Sequence, residues 1–381
     1  MDKQNKIKIL QDLIHIHSVN GNEVEVSKYI GKLFDKYGIK YKIDEFGDKR
    51  ANLVAEIGQG KTDQVLAFTG HQDTVAIGDQ SEWTHDPFSG DIDGDKIYGR
   101  GSADMKIGLA AQIITLIELT ENKTEIPGKI RFIATAGEEY GTPGANRLND
   151  QGIAKDISAM VVGEPTSGNI VYAHSGSMNY QIKSSGRAFH SSAPEKGINA
   201  ITGLVQYIND EPRIFGDLPK DPYLGEVKHS VTVIKGGDQV NIIPEHAELL
   251  GNIRPTMAFN NDKVIETIQT EVEKINKDTE FHLDFSLIHN FRPVETDPKN
   301  KFVQMAKSIA DAEFSDRQIQ LVTINGATDA SVFVKGNAKM PIIILGADAW
   351  DKAHQIDEYT TIKSFTNIVN VYESLATKFF K

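Results

Sequence analysis

Two adjacent glutamates, Glu138 and Glu139, follow directly on an apolar segment in the stretch FIATAGEEYG. Neither has a basic neighbour in the local sequence that would offset its charge. Such a pair is either a solvated loop surface or part of a site that binds a cation. Three further side chains of metal-binding type follow other apolar strand candidates: His71, Glu164 and His354.

Asp104 stands at the head of a predicted helix, after the glycine-containing segment YGRGS. Ligands of an open α/β sheet collect beyond the carboxyl ends of its strands, so side chains distant in sequence can meet at one edge. The chain contains no cysteine, so His, Asp and Glu would have to hold any metal. Two imidazoles and three carboxylates suit two divalent ions bridged by one carboxylate. Zinc is the expected metal, with manganese or cobalt as alternatives.

Each of these residues also has a structural interpretation. A single histidine at a strand end is more often a hydrogen-bonded core or surface residue, and a Glu-Glu pair usually lies in a surface loop. The occurrence of such residues at four separate strand ends favours a metal site over these structural interpretations. No Gly-x-Ser-x-Gly segment occurs, so the sequence does not favour a serine hydrolase of the common α/β type.

The bulk composition is that of an acidic globular protein. The chain has 381 residues, of which 39% are hydrophobic and 25% charged, and this length predicts two domains. A net charge of −12 argues against nucleic acid or an anionic membrane as partner, because no basic excess can neutralise phosphates. No apolar run approaches the roughly 20 residues of a membrane span, and the first residues lack the apolar core of a signal peptide. We therefore expect a cytoplasmic protein.

Strand and helix patterns alternate at both ends of the chain, which predicts an α/β fold with a partly parallel sheet. The pattern changes near residue 177. From there to about residue 288 the predicted order is strand, helix, strand, strand, helix, strand. We interpret residues 177–288 as a smaller α+β domain inserted into a discontinuous α/β domain of residues 1–176 and 289–381.

Eight short segments resemble the M20 family of metallopeptidases and occur in that family's order. They are GHQDTV (70–75), YGRGSADMK (98–106), TAGEEYG (135–141), GEPT (163–166), HSSAPEKGINAI (190–201), NIIP (241–244), NIRP (252–255) and AHQIDEY (353–359). Singly, segments such as GEPT mean little, but together they are specific and cover most of the chain. The resemblance is strongest to the branch of succinyl-diaminopimelate desuccinylase, acetylornithine deacetylase and aminoacylase.

The resemblance implies a zinc-exopeptidase-like mixed sheet flanked by helices, with two divalent metal ions. It also implies a role for each side chain of the site. His71 and Glu164 would bind one ion, Glu139 and His354 would bind the other, and Asp104 would bridge the two ions. Asp73 would orient His71, and Glu138 would be the general base. This division answers why two acids stand side by side, since one would hold a metal while its neighbour takes a proton.

The resemblance also implies that the insert is a dimerisation or lid domain and that the protein is a homodimer. His190 would reach the partner subunit's active site to stabilise the tetrahedral oxyanion, and Asn241 would assist. Arg254 would clamp a substrate carboxylate, for which a planar guanidinium is suited. Gly326 and Thr328 match a family loop that contacts substrate.

The implied reaction is removal of an N-acyl group from a small amino-acid-like substrate, with N-succinyl-LL-diaminopimelate expected. Acetylornithine deacetylase, aminoacylase and dipeptidase share the metal motifs and are alternatives. A metal-binding protein without catalysis and an assembly module are alternatives of another class. The chain departs from the family at Ile107, where many relatives have glycine.

Overall fold

The computed structural model describes residues 1–348 and 350–381. Its helices are α1 (Lys3–His15), α2 (Glu23–Tyr37), α3 (Lys106–Glu121), α4 (Pro143–Asp150), α5 (Ala200–Ile214), α6 (Asn261–Asp278), α7 (Lys301–Glu313), α8 (Ala330–Gly336) and α9 (Ile362–Lys378). Its strands are β1 (Lys40–Phe46), β2 (Arg50–Gly58), β3 (Val65–His71), β4 (Ile92–Asp93), β5 (Lys96–Tyr98), β6 (Lys129–Thr135), β7 (Ala159–Val162), β8 (Ile170–His174), β9 (Ser177–Ser185), β10 (Phe189–His190), β11 (Lys228–Gly236), β12 (Ile242–Ile243), β13 (His246–Arg254), β14 (His282–Phe291), β15 (Val294–Glu295), β16 (Leu321–Ile324), β17 (Ile342–Ile344) and β18 (Tyr359–Thr361).

The chain forms two compact units. Unit 1 comprises Met1–Tyr172, Glu295–Val322 and Thr328–Lys381. Unit 2 comprises Ala173–Val294 and Thr323–Ala327. The first unit is therefore discontinuous in sequence, and both segments of the second lie between its segments.

A mixed sheet is the centre of the fold, in the order β1-β2-β6-β3-β7-β17-β8-β15, with β16 paired to β8. The neighbours β6, β3, β7 and β17 run parallel to one another, whereas β1 and β2 are antiparallel. All seven residues of β3 are buried, as expected for a strand covered on both faces. The predicted α/β class with a partly parallel sheet is confirmed.

Helix α3 lies in the core of unit 1 and packs against α1 and α9. Its residues from Lys106 to Leu119 are all buried, which explains why the segment is apolar on every side rather than amphipathic. Ile107, the departure from the family pattern, is one of these buried residues and belongs to the hydrophobic core. The neighbouring Gly108 allows α3 to approach β7 closely, since a Cβ atom there would lie 2.0 Å from the Gly163 carbonyl oxygen.

Unit 2 contains a four-stranded antiparallel sheet in the order β11-β13-β9-β14. Buried and partly exposed residues alternate along β13, so one face of this sheet is covered and the other is not. Helices α5 and α6 contribute Leu204, Tyr207 and Ile268 to the core on the covered face, beside Tyr180 and Leu249 of the sheet. The short strands β10 and β12 form a separate pair.

None of the helices in residues 1–348 and 350–381 combines the length and the apolar character needed to cross a membrane.

Candidate active site

Four neighbouring parallel strands deliver the candidate metal ligands to one edge of the sheet. His71 is the last residue of β3, and Glu138 and Glu139 follow β6 by three and four positions. Glu164 follows β7 by two positions, and His354 lies in the longer connection after β17. Because the carboxyl ends of adjacent parallel strands meet, residues nearly 300 positions apart in sequence become neighbours.

Asp104 lies between the two histidines. One carboxylate oxygen, Oδ1, is 3.1 Å from Nε2 of His71, and the other, Oδ2, is 3.3 Å from Nε2 of His354. The two imidazoles thus approach opposite oxygens of one carboxylate, as a bridging ligand requires. His71, Asp104 and Glu139 each offer a ligand atom within 4.8 Å of those of the other two.

His71 is buried, and its ring is held at both nitrogens. Nδ1 lies 2.9 Å from the backbone oxygen of Asp73, to which it donates when protonated. Nε2 then presents a lone pair 3.1 Å from Asp104 and 3.7 Å from Oε1 of Glu164. Burial alone would lower the pKa of His71, but the surrounding carboxylates raise it well above its ordinary value. A lone pair facing two carboxylates is stable only with a proton or a cation between them.

His354 is the more exposed of the two histidines, with 47% of its side chain accessible. Its Nε2 lies 2.7 Å from Oε1 of Glu139. Hydrogen bonds to Asp104 and Glu139 raise the pKa of His354 to about 10. The same two histidines hold the pKa of Asp104 below its ordinary value, although its burial acts in the opposite direction.

The turn that carries Glu138 and Glu139 is fixed by Asp73. Oδ1 of Asp73 accepts the backbone N–H groups of Gly137 at 2.8 Å and Glu138 at 3.1 Å, and Oδ2 accepts that of Glu139 at 3.2 Å. The Asp73 carboxylate stands 3.7 Å from Nδ1 of His71, so the backbone oxygen of Asp73, not its carboxylate, makes the close contact with the ring. Asp73 therefore supports the histidine and the glutamate pair together.

Glu138 is surrounded by acidic groups. Burial raises its pKa well above the ordinary value, and nearby Asp329, Glu139 and Asp73 add to the effect while His71 opposes it. Asp329 is an acid that sequence reasoning did not single out. It is buried, accepts a hydrogen bond from Thr135, and burial raises its pKa to about 6. Asp329 directly follows Thr328 in a segment that resembles the family, and this position could have identified it from the sequence.

The remaining predicted residues have the following positions. Thr328 is buried in unit 1, where its hydroxyl accepts the N–H of Ala330 at 3.2 Å. Unit 2 holds the other four: His190, Asn241, Arg254 and Gly326. Within that unit His190 and Asn241 are neighbours, because the N–H of Ser191 donates to the backbone oxygen of Asn241 at 3.0 Å. Arg254 ends β13 and is half-buried, and Gly326 is exposed.

The cluster in unit 1 has side chains that could hold a metal ion. In the described part of the chain, the ion pairs of Asp104, Glu139 and Glu164 are all with histidine and none is with lysine or arginine. Oε2 of Glu164 is buried and has no hydrogen-bond partner among the described residues. Burial and the neighbouring Asp104 raise the pKa of Glu164 well above its ordinary value. Buried oxygen and nitrogen donors that lack a counter-charge fit divalent cations.

Comparison with known proteins agrees with this geometry. Residues 67–378 match the family described as Peptidase family M20/M25/M40. The chain belongs to this family. It is therefore a metal-dependent hydrolase, and the resemblance read from the eight short segments is confirmed.

Relatives of this M20 chain extend over its whole length. It is 34% identical over 405 residues to a probable succinyl-diaminopimelate desuccinylase of Staphylococcus aureus (strain N315), covering 100% of this chain and 98% of the other. It is 29% identical to a succinyl-diaminopimelate desuccinylase of Rickettsia bellii (strain RML369-C), covering 95% and 94%.

Solved structures share the fold at low sequence identity. An M20 family metallo-carboxypeptidase from Sulfolobus solfataricus superposes with a TM-score of 0.81 at 17% identity, covering 99% of each chain. A dinuclear metal-binding M20 peptidase from Bacillus subtilis superposes with a TM-score of 0.74 at 20% identity, covering 99% of this chain and 98% of the other. The mixed sheet flanked by helices that we expected from the sequence is confirmed, and these structural neighbours are M20 peptidases.

The contacts of Asp73 predict the effect of replacing it. Asp73→Ala removes the acceptor of three backbone N–H groups and should destabilise the protein by about 3 kcal/mol and weaken Zn²⁺ binding about 10- to 100-fold. Asp73→Asn keeps Oδ1, and with it two of the three bonds, so its effects should be smaller. Thermal melting and Zn²⁺ titration of the metal-free protein measure both quantities.

Asp79→Ala is the matched control, because Asp79 is exposed and accepts only local hydrogen bonds from Ser81. It should leave both quantities close to those of the wild type. Equal behaviour of Asp73→Ala and Asp79→Ala would contradict the assigned role of Asp73.

Proposed function

We propose that this M20 hydrolase removes the succinyl group from N-succinyl-LL-diaminopimelate, giving succinate and LL-diaminopimelate. The position of Asp104, with its two oxygens facing His71 and His354, carries the reaction type. The choice of substrate is supported by the full-length relatives, which are named as desuccinylases. Lysine biosynthesis is the corresponding pathway role, and the cytoplasm is the proposed location.

The residues proposed to hold two divalent ions are those that converge at the strand ends. His71 and Glu164 would hold one ion, His354 and Glu139 the other, and Asp104 would contact both. When bound, the ions would polarise the amide carbonyl and lower the pKa of the attacking water. Zinc is the expected metal, with cobalt or manganese as alternatives. His71 is buried and His354 is exposed, so the two proposed sets of ligands differ in their access to solvent.

Glu138 is the proposed general base. It would accept the proton of the attacking water and pass it to the leaving amine nitrogen. Burial and the neighbouring Asp329, Glu139 and Asp73 raise its pKa above that of an exposed glutamate. The hydrogen bond from its backbone N–H to Asp73 would hold it at a fixed distance from the ligand Glu139.

Two features of unit 2 support roles in substrate binding. Nδ1 of His190 accepts the N–H of Ser192 at 3.1 Å, so a neutral ring carries its proton on Nε2, where it could donate to an oxyanion. Arg254 has no ion-pair partner among the described residues, and burial lowers its pKa. A half-buried guanidinium without a counter-ion suits a substrate carboxylate. Asn241, Gly326 and Thr328 are proposed as further substrate contacts.

The general-base role predicts the effect of Glu138→Gln. This variant should lose about 10²- to 10⁴-fold in kcat and retain the wild-type metal content, because Glu138 is not a proposed ligand. Glu280→Gln, an exposed glutamate of unit 2, is the matched control and should keep full turnover. Hydrolysis assays and metal analysis of the same preparations test both statements. Full turnover by Glu138→Gln would refute the mechanism.

The substrate assignment predicts a ranking. With Zn²⁺ added, the purified protein should release succinate from N-succinyl-LL-diaminopimelate faster than acetate from N-acetylornithine. A panel of acylated amino acids and dipeptides, assayed at equal concentration, measures the ranking. Faster release of acetate would favour acetylornithine deacetylase, and faster cleavage of dipeptides would favour a dipeptidase. Loss of all hydrolysis despite bound metal would favour a non-catalytic binding or assembly protein.

The insert, residues 177–288, is proposed as a dimerisation or lid domain that would bring His190 to the partner subunit. Size-exclusion chromatography with light scattering should then give twice the mass of one chain. A monomer as the sole species would exclude a contribution of His190 in trans and would leave the metal chemistry of unit 1 unaffected.

A further inference from the structure

Glu358 is a buried carboxylate that takes part in no step described above. Its side chain is fully buried, and its Oε1 accepts the backbone N–H groups of Ala103 at 2.8 Å and Asp104 at 3.1 Å. Its own backbone oxygen accepts the N–H of Gly99 at 2.9 Å. One residue therefore receives three backbone donors from the loop that leads to Asp104.

The second oxygen of Glu358 pairs with the buried guanidinium of Arg100. The same guanidinium donates to the backbone oxygen of Gln355 at 3.2 Å, next to His354, and lies 5.2 Å from the centre of the Trp83 ring. Arg100 belongs to the loop of residues 99–105, here called the Asp104 loop. Gln355 and Glu358 belong to the loop of residues 353–358, here called the His354 loop. The ion pair thus joins the two loops.

The His354 loop needs such support. His354 and Asp357 both adopt positive φ angles, 62° and 54°, which cost energy for residues other than glycine. Such a conformation persists only where neighbouring contacts fix it. Glu358 comes directly after this strained segment and immediately before β18, which pairs with β5.

We propose that Glu358, paired with Arg100, is a positioning residue that sets the geometry between Asp104 and His354. Its side chain accepts the backbone N–H of Asp104 and so fixes that backbone. Because Glu358 itself belongs to the His354 loop, the same contact holds the two loops together. This inference rests on the proposed two-metal function, because its consequence is the affinity of the site for divalent ions. A buried ion pair that serves stability alone would have no such consequence.

A single variant tests whether the carboxylate of Glu358 must reach the backbone amides of Ala103 and Asp104. Glu358→Asp keeps the charge but shortens the side chain by one methylene, so Asp cannot reach the N–H groups of Ala103 and Asp104 in the present backbone. The metal-free protein should bind Zn²⁺ about 10- to 100-fold more weakly, measured by competition with a chromophoric chelator. The absorption spectrum of bound Co²⁺ should also change, since it reports the ligand geometry.

Two double variants separate positioning from stability. Glu358→Gln with Arg100→Met leaves no unpaired buried charge and keeps an oxygen for the two amides, so it should bind Zn²⁺ more tightly than a double variant that offers them no acceptor, although both lose the contact of Arg100 with Gln355. Glu358→Met with Arg100→Met also removes both charges, which is often tolerated, but it offers the amides no acceptor. Its Zn²⁺ affinity should stay low.

Glu271→Gln is the matched control. Glu271 is a buried carboxylate of unit 2, 4% exposed, and pairs with Arg213 at 2.6 Å and Lys274 at 3.2 Å. This variant should lower the melting temperature without changing Zn²⁺ affinity.

Three results would overturn the inference. Wild-type affinity in Glu358→Asp would overturn it alone, and so would equal affinities in the two double variants. Failure of the wild-type protein to bind any of Zn²⁺, Co²⁺ and Mn²⁺ would overturn the proposed function and this inference together. Weakened binding in Glu358→Asp, combined with tighter Zn²⁺ binding by the Gln/Met double variant than by the Met/Met double variant, would establish it.

Discussion

Several carboxylates at one edge of the sheet share a small, largely buried volume, and their mutual repulsion has to be balanced. Two unit charges about 4 Å apart repel by roughly 4 kcal/mol at the effective dielectric near a protein surface. A few such pairs match the whole net stability of a typical domain, roughly 5–15 kcal/mol. Asp104, Glu139 and Glu164 find only histidines as ion-pair partners among the described residues. Bound cations would supply the missing charge.

The fold places these carboxylates and the two histidines where cations could bind between them. Parallel neighbours β6, β3, β7 and β17 end at the same edge, so each strand end contributes ligands without any long side chain having to bend toward the others. Close packing of α3 against Gly163 brings the Asp104 loop to the same place. Asp73 and Glu358, both buried acids, use their oxygens to hold backbone amides. In the proposed site, two acids that are not themselves proposed ligands thus hold the backbone on which the candidate ligands stand.

The shared fold sets the reaction class more firmly than the substrate. Structures that superpose over nearly the whole chain include a carboxypeptidase and a dinuclear metal-binding peptidase, at 17% and 20% identity. Common architecture at this distance shows the fold but not the pocket that selects the acyl group. In this chain the groups proposed to meet the substrate, such as His190 and Arg254, lie in unit 2. Of the proposed substrate contacts, only Thr328 belongs to unit 1, which carries the candidate metal ligands.

The sequence by itself determined the α/β class, the sheet that is partly parallel, and membership of the M20 family. Apolar strand segments followed by His71, Glu138, Glu139 and Glu164 are local patterns, and local patterns can be read without coordinates. The buried α3 was also readable, since a segment that is apolar on all sides has to lie in a core.

Only the tertiary structure decided which atoms meet. That Asp104 faces a histidine with each oxygen, and that the backbone oxygen of Asp73 contacts His71, depend on the relative positions of loops far apart in sequence. Asp329 and Glu358 stood in recognisable segments, yet their partners Thr135 and Ala103 lie 194 and 255 positions away. Hydrogen bonds across such separations are created by packing, which no local pattern encodes.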